Sequence, residues 1–279
     1  GGVYVNIHSD YPGGNIKVLE IDEDNKVVKL EQDLRNCAQW WFYWNFCVEY
    51  PAKGEFIFEF CNGEVVGPWG PAISYNRKDW DWVGANSRLS PSSFRYTFSG
   101  QEKKVYFCFS LPYQLEDFER FYSKYGQLSC VERKVLTVSE RGRQVPLIIV
   151  GKQDAKRHIF LTCRHHACES VASYVLEGFL DTVINNIESS IYRNFQFHVV
   201  PFVDIDGVED GEQGKGRPPH DHNRDYIDEP IYNSTSSLMK YASEKKPEIF
   251  IDLHCPWKWG DSDDISSQRN NNVFFMKRM

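Results

Sequence analysis

Three short groups of residues in this 279-residue chain have the types and spacing that chemistry requires. The first is His166-Ala167-Cys168-Glu169, which directly follows the apolar run Ile159 to Cys163 and opens an expected helix. Side chains at i and i+3 of a helical turn share a face, so an imidazole and a carboxylate meet there as half of a metal site. An isolated HxxE is usually a polar pair at a surface, but the carboxyl end of an α/β strand is where such sheets place their ligands. The second is His254, at the end of the apolar run Glu248 to Leu253. Ends of neighbouring strands lie close together, so His254 can supply a third donor, and two histidines with one glutamate form a catalytic zinc set that leaves a position for water. Asp252, on the same strand face, either orients a ligand from behind or is a buried carboxylate paired with a sheet neighbour. The third group is Asp221-His222-Asn223-Arg224, which closes a Gly/Pro-rich loop over Glu209 to Pro219. An Asn-Arg pair offers neutral and charged donors, and the guanidinium fork matches a carboxylate in a bidentate arrangement. Alone it is more often a turn with a surface ion pair; beside a metal site it suits recognition of a free C-terminus.

These groups need a sheet to hold them. Leu115 to Tyr125 has a helical spacing of apolar residues, and strands are expected at Val135 to Val138, Val145 to Val150, Ile159 to Cys163, Phe195 to Val203 and Glu248 to Leu253. Helices are expected from about Cys168 to Ile187, with Val171, Val175, Phe179 and Val183 on one stripe, and near Ser236 to Glu244. Apolar strands alternating with helices imply an α/β layer on a parallel or mixed sheet. From Asn15 to Leu111 the chain instead shows short β-like runs without a helical period. Phe56, Phe58 and Phe60 share one face, as do Val105, Phe107 and Phe109, and turn residues at Pro12 to Gly14, Pro51 to Gly54, Asn62-Gly63 and Gly67 to Pro71 space the runs as in an all-β sandwich. The aromatic run Trp40 to Trp44 reads as sandwich core and domain interface, since aromatics are ordinary strand formers, in preference to a carbohydrate-binding face. The expected domains are 1–113, an all-β sandwich, and 114–279, an α/β domain on a mixed sheet.

In this order along the chain, the three groups resemble the zinc carboxypeptidase family. Arg164-His165-His166-Ala167-Cys168-Glu169-Ser170 is similar to the Arg-x-His-x-x-Glu-Ser/Thr segment of the cytosolic carboxypeptidase branch and its bacterial relatives. Asp221-x-Asn223-Arg224 is similar to that branch's Asp-x-Asn-Arg, and Asp252-Leu253-His254 to its Asp-Leu-His. The branch carries a β-sandwich domain before the catalytic one, so the resemblance spans nearly the whole chain. It implies one zinc ion per chain held by His166, Glu169 and His254, with Asn223 and Arg224 on the terminal carboxylate of a peptide or protein substrate. It also implies that Arg217 polarises the scissile carbonyl and stabilises the oxyanion, with Lys215 as a substitute in a loop of variable length. His165, His220 and His222 receive no role and read as exposed loop or supporting residues. The implied reaction is hydrolysis of a C-terminal amide bond by a metal-activated water, with a glutamate as general base. In the family that glutamate lies on a strand well downstream of the third ligand, whereas Cys255 to Met279 contains no Glu, His or Tyr. The catalytic domain is therefore expected to be incomplete at its C-terminus, with Asn272 to Met276 starting a further strand, and the chain is expected to hydrolyse peptides negligibly. A zinc-dependent deacylase of N-acyl amino acids has the same ligand set, and a non-catalytic binding protein has the same fold; both stand as alternatives.

Composition narrows the partners. The formal charge of −7, without a Lys/Arg-rich run, gives no surface for phosphates, so nucleic acid and anionic membranes are not expected. No stretch approaches the roughly 20 apolar residues of a membrane span, and Gly1 to Ile7 has neither the charged nor the apolar region of a leader. Eight cysteines are too few for a disulfide scaffold of this size, and Cys61, Cys108 and Cys163 sit in strand-like apolar runs as small hydrophobes. A reducing, cytoplasmic setting is expected.

Overall fold

The structure, a computed structural model, describes residues 4–38 and 42–255 and the backbone of 275–278. The chain divides into two compact units, one of residues 4–112 with 210–213 and the other of residues 113–209 with 214–255 and 275–278.

The first unit contains β1 (Asn6–His8), β2 (Lys17–Asp22), β3 (Val27–Glu31), β4 (Asn45–Glu49), β5 (Lys53–Phe60), β6 (Ala72–Ser74), β7 (Asp81–Trp82), β8 (Arg88–Ser90), β9 (Ser93–Ser99) and β10 (Val105–Cys108). They form two five-stranded sheets, ordered β1-β4-β10-β6-β7 and β2-β3-β5-β9-β8. Alternation makes one face of each sheet apolar, and the two faces meet through rings. Phe58 on β5 lies 5.7 Å from Phe46 on β4 and 5.6 Å from Phe107 on β10, and stacks on Phe94 of β9 at 4.9 Å. Burying rings of this size supplies most of such a core's stabilisation. Phe42, Tyr43 and Trp44 are buried, and the Trp44 indole donates to the Val65 carbonyl at 2.9 Å. That places this part of the aromatic run in the core, while Trp40 and Trp41 lie outside the described residues. Cys61 departs from its expected burial: it follows the end of β5 and is exposed. None of the eight cysteines is in a disulfide.

The second unit contains α1 (Leu115–Tyr122), β11 (Val131–Val138), β12 (Gln144–Val150), β13 (Arg157–Cys163), α2 (Val171–Asn185), β14 (Phe195–Val200), α3 (Ile205–Asp210), α4 (Asn233–Lys245), β15 (Ile249–His254) and β16 (Phe275–Arg278). Its mixed sheet is ordered β11-β12-β14-β13-β15-β16, with β13 parallel to both β14 and β15 and the other pairs antiparallel. The chain leaves β13 to one side for β14 and returns on the other side for β15, so the carboxyl ends of these strands flank a topological switch point, where open α/β sheets hold ligands. Thr162 and Asp252 are direct partners across β13 and β15.

Three expectations need correction. The run after Val200 is not strand: the chain turns at Ser139-facing Asp206 into the short helix α3, because Gly207 donates its N–H to the Asp204 carboxylate at 2.9 Å and the Val208 N–H bonds to the Asp204 carbonyl at 3.1 Å. The buried stripe of α2 is Ala172, Leu176, Leu180, Val183 and Ile184, with Val171 and Phe179 packed at its edge. Both stripes are apolar, and the sheet selects the one that faces it. Helix α2 also begins after the HxxE segment rather than within it. Of the further strand expected from Asn272 to Met276, residues 272–274 lie outside the described residues. Among the described residues no helix is long and apolar enough to cross a membrane.

One buried pair gives the second unit an acid sensitivity. His198 on β14 shares a hydrogen bond with Tyr241 of α4 at 2.8 Å and another with His158 of β13 at 2.9 Å. Burial, then the charge of His158, pushes His198 down to about 3. Its folded value lies below its unfolded value of about 6.5, so the unfolded chain binds the proton first. Stability is therefore unaffected by this group above that value and falls as the pH drops from there towards about 3. Between about pH 7 and about pH 5 the loss should be about 1–2 kcal/mol after allowance for solvent screening. His198→Gln should flatten this limb of the urea-unfolding stability profile of the full chain; an unchanged profile would remove His198 as its cause.

Candidate metal centre

The turn after β13 is built around Arg164, which sits in the left-handed region at φ 60° and is buried. Its guanidinium donates to the Ala167 carbonyl from Nε at 3.1 Å, to the Tyr113 carbonyl from NH1 at 2.7 Å and to the Ser173 hydroxyl at 3.2 Å. The chain is thus folded back, and the Glu169 N–H closes the turn on the His166 carbonyl at 3.2 Å. His166 and Glu169 meet through this turn, not through a helical face: His166 Nδ1 lies 2.9 Å from Glu169 Oε1. Gly214 lies against the same turn at φ +70-like geometry (φ 67°), where an added Cβ would come within 2.5 Å of the Ala167 nitrogen and 2.7 Å of Asp204 Oδ2. Only glycine fits that approach.

Strand β15 delivers His254 to the same place. His254 Nδ1 is 2.7 Å from Glu169 Oε2, the His166 and His254 ring centroids are 5.0 Å apart, and one donor atom from each of His166, Glu169 and His254 lies within 4.8 Å of the others. The Ala172 N–H bonds the Cys255 carbonyl at 3.2 Å and ties the start of α2 to this strand end. Both histidines turn Nδ1 towards Glu169 and hold Nε2 on a carboxylate: Asp221 Oδ2 at 3.4 Å for His166 and Asp252 Oδ2 at 2.6 Å for His254. Asp252 is a buried carboxylate paired with a sheet neighbour, and it also faces His254. Its other oxygen accepts from Thr162 Oγ1 at 2.9 Å and faces His165 Nδ1 at 2.8 Å.

The acids and imidazoles of the trio and its neighbours shift one another's charge states. Burial opposes charge on Glu169, yet His166 and His254 hold it well below the usual carboxylate range. Burial likewise opposes charge on Asp221, which His166 holds down to about 2. His254 is carried up to about 10 against burial by hydrogen bonds to Asp252 and Glu169, and Lys215 Nζ stands 3.1 Å from Glu169 Oε1. Three buried carboxylates thus stand around two imidazoles, and His166, Glu169 and His254 together are a donor set that could hold zinc. Burial and the Glu169 charge push the neighbouring Cys255 thiol up to about 12, so it stays protonated.

The remaining candidates lie along the following loop. His222–Arg224 is one 3-10 turn capped by Asp221, whose Oδ1 accepts from the Asn223 N–H at 3.0 Å. The aspartate that faces His166 therefore also fixes the Asn223-Arg224 turn, with Asn223 half-buried and Arg224 exposed. Arg217 is placed on the buried Asp204, NH2 to Oδ2 at 2.9 Å, and NH1 lies 3.3 Å from His222 Nδ1. His222 is buried and stacks on Tyr232 with centroids 3.7 Å apart, and His165 is buried between Asp252 and Tyr226, so neither is an exposed loop residue. His220 is partly buried on Asp225 at 2.6 Å. The supporting roles of Asp221, Asp204 and Arg164 went unassigned in the sequence. Asp221 carried a signal, an acid two residues before Asn223, and Arg164 opened the motif that resembles the family's; Asp204 carried none, because its pairing with Arg217 depends on how the intervening loop folds.

If Asp252 fixes the orientation and tautomer of His254, then Asp252→Asn should weaken zinc binding about 10–100-fold, whereas Asp228→Asn, on an exposed residue, should leave it unchanged. Competition against a chromophoric chelator measures both; equal affinities for the two variants would remove the positioning role.

The chain has known relatives. Residues 119–256 match the zinc carboxypeptidase family. The chain is 24% identical over 208 residues to an uncharacterized protein of Zymomonas mobilis, covering 72% of this chain and 54% of that protein. It is 22% identical to human cytosolic carboxypeptidase 1, covering 91% of this chain and 25% of that one. The chain spans about half or less of the length of these curated relatives. Its fold superposes on a metallo-carboxypeptidase from Pseudomonas aeruginosa with a TM-score of 0.78 at 20% identity, covering 90% of this chain and 69% of that one. Residues 119–256 thus match the zinc carboxypeptidase family, and the chain is similar to the cytosolic carboxypeptidases and, in fold, to the bacterial metallo-carboxypeptidases.

Proposed function

We propose that this protein is a zinc-dependent carboxypeptidase that acts on the C-terminal amide bond of peptides or proteins, with one zinc ion held by His166, Glu169 and His254. The observation that carries this reading is the meeting of one donor atom each from His166, Glu169 and His254 within 4.8 Å of one another, with Nδ1 of both histidines on Glu169, in a family-matched segment. Zinc bound there supplies a Lewis acid that lowers the pKa of water and polarises a carbonyl. The chain's own residues do the rest. Asp221 and Asp252 hold the Nε2 side of the two histidines and so present Nδ1 to the ion. Asn223 and Arg224 take the substrate's terminal carboxylate, the amide by a neutral hydrogen bond and the guanidinium by a charged, bidentate one. Asp221 faces His166 and accepts from the Asn223 N–H, so a single side chain links the proposed metal ligand to the proposed carboxylate anchor.

Arg217 is proposed to stabilise negative charge on the carbonyl oxygen, which requires its guanidinium to serve substrate while it is braced by Asp204. Lys215, already 3.1 Å from Glu169, is the alternative cation for that task. The acids around the trio are engaged, Asp252 with His165, His254 and Thr162, and Asp221 with His166 and the backbone of Gly216 and Asn223. None of them is proposed as the general base. The proposed domains are a β-sandwich over 1–113 and a catalytic domain over 114–279, in a cytoplasmic protein like the cytosolic carboxypeptidases it resembles.

The carboxylate anchor separates this reading from its alternatives through binding. Arg224→Ala should weaken a zinc-loaded chain's affinity for a peptide with a free C-terminus by about 2–5 kcal/mol if the charge pair is well desolvated, and should not change its weaker affinity for the amidated peptide. Calorimetry on the two peptides and on an N-acyl amino acid reads the result. Equal affinity for free and amidated peptides would overturn the proposal, and tighter binding of the N-acyl amino acid than of the peptide would favour a deacylase.

A further inference from the structure

The first unit carries a second cluster of metal-binding side chains, far different in donor type from the trio. β1 and β4 are antiparallel, with His8 directly opposite Cys47 and Asn6 opposite Glu49. Side chains two apart on a strand share a face, and those directly opposite lie side by side. His8, Cys47 and Glu49 therefore project from the same face of the strand pair. His8 Nε2 is 3.2 Å from Glu49 Oε1, and one donor atom from each of the three residues lies within 4.8 Å of the others. The cluster is shaped for entry from solvent: Cys47 is buried, whereas the His8 and Glu49 side chains are 24% and 34% exposed. The His8 ring is braced by Tyr11, edge-on at 6.1 Å, and Tyr11 is in turn edge-on to Tyr106 at 5.4 Å and covered by the Arg77 guanidinium at 4.9 Å.

We infer that His8, Cys47 and Glu49 form a binding site for a borderline-soft divalent cation, with zinc as the natural occupant, distinct from the His166, Glu169 and His254 centre. A thiolate, an imidazole and a carboxylate together suit zinc and cobalt and disfavour calcium or magnesium, which take oxygen ligands. Antiparallel pairing pre-organises two of the donors across strands, so binding orders little chain. The step is a simple exchange: Cys47 releases its proton to solvent, the metal–sulfur bond forms, and the ion joins His8 and Glu49. Occupied, the site clips the three-residue edge strand β1 to β4. It also has a competitor, because Lys104 Nζ lies 3.0 Å from Glu49 Oε1, the oxygen that faces His8. The ammonium neutralises the carboxylate whenever the metal is away, so removing it should strengthen metal binding.

The test uses the full chain, stripped with a chelator and titrated with Co(II) alone. The expected result is a thiolate-to-cobalt charge-transfer band that is lost in Cys47→Ser and retained in His166→Ala, because the trio contains no thiol. His8→Gln should raise the dissociation constant for this band at least tenfold, and Lys104→Gln should lower it. That opposite pair of signs is not produced by general loosening of the fold, and circular dichroism of the His8 and Lys104 variants confirms that they fold. Absence of any thiolate band at saturating Co(II), or a band of equal intensity and affinity in wild type and His8→Gln, would overturn the inference. Because the readout involves neither substrate nor the trio, failure of this site and failure of the proposed carboxypeptidase function are separate outcomes.

Discussion

One carboxylate holds the centre of the second unit together. Asp252 sits directly across from Thr162 on the neighbouring parallel strand, accepts that hydroxyl, and faces His165 with the same oxygen while its second oxygen meets His254. It joins the ends of β13 and β15 where each delivers a histidine. If the strands were one residue out of register, every side chain on β15 would change face, and His254 would leave the site. Strand pairing and ligand geometry are therefore one constraint.

That constraint is costly for stability. Glu169, Asp221 and Asp252 are all buried, as are His165 and His166, and burying charge is unfavourable unless it is paired and hydrogen-bonded. Replacement of such networks by apolar side chains is often neutral or stabilising. Several negative groups converge on two imidazoles whose Nδ1 atoms point at one shared glutamate, an arrangement that fits the proposed metal site. Under the proposed function a bound dication would offset that burial. The buried Asp204 is likewise paired beside it, with Arg217, and His222 stacks on Tyr232.

Much of this was legible in the sequence, for physical reasons that differ by residue. Apolar runs ending in His254 and before Arg164 marked strand ends, since a strand buried on both faces has few polar positions. Phe56, Phe58 and Phe60 marked a core face because the strand period is two. The shape of the HxxE turn was not legible, because it depends on the left-handed Arg164 and on a bond to Tyr113, 51 residues away. The facing stripe of α2 was misread since two adjacent stripes are apolar and only the sheet chooses between them. The grouping of His8 with Cys47 and Glu49 depends on register between two strands that the sequence does not pair. Asp204 looked like any acid after an apolar run until Arg217 was found against it.

The most direct test of the account is where zinc sits. Crystals of the full chain loaded with zinc, measured on either side of the zinc absorption edge, should show an anomalous peak bonded to His166 Nδ1, His254 Nδ1 and Glu169, with Asp221 and Asp252 still on the opposite ring nitrogens. A peak bonded through Nε2 of either histidine, or loaded crystals with no peak among these three residues, would contradict it.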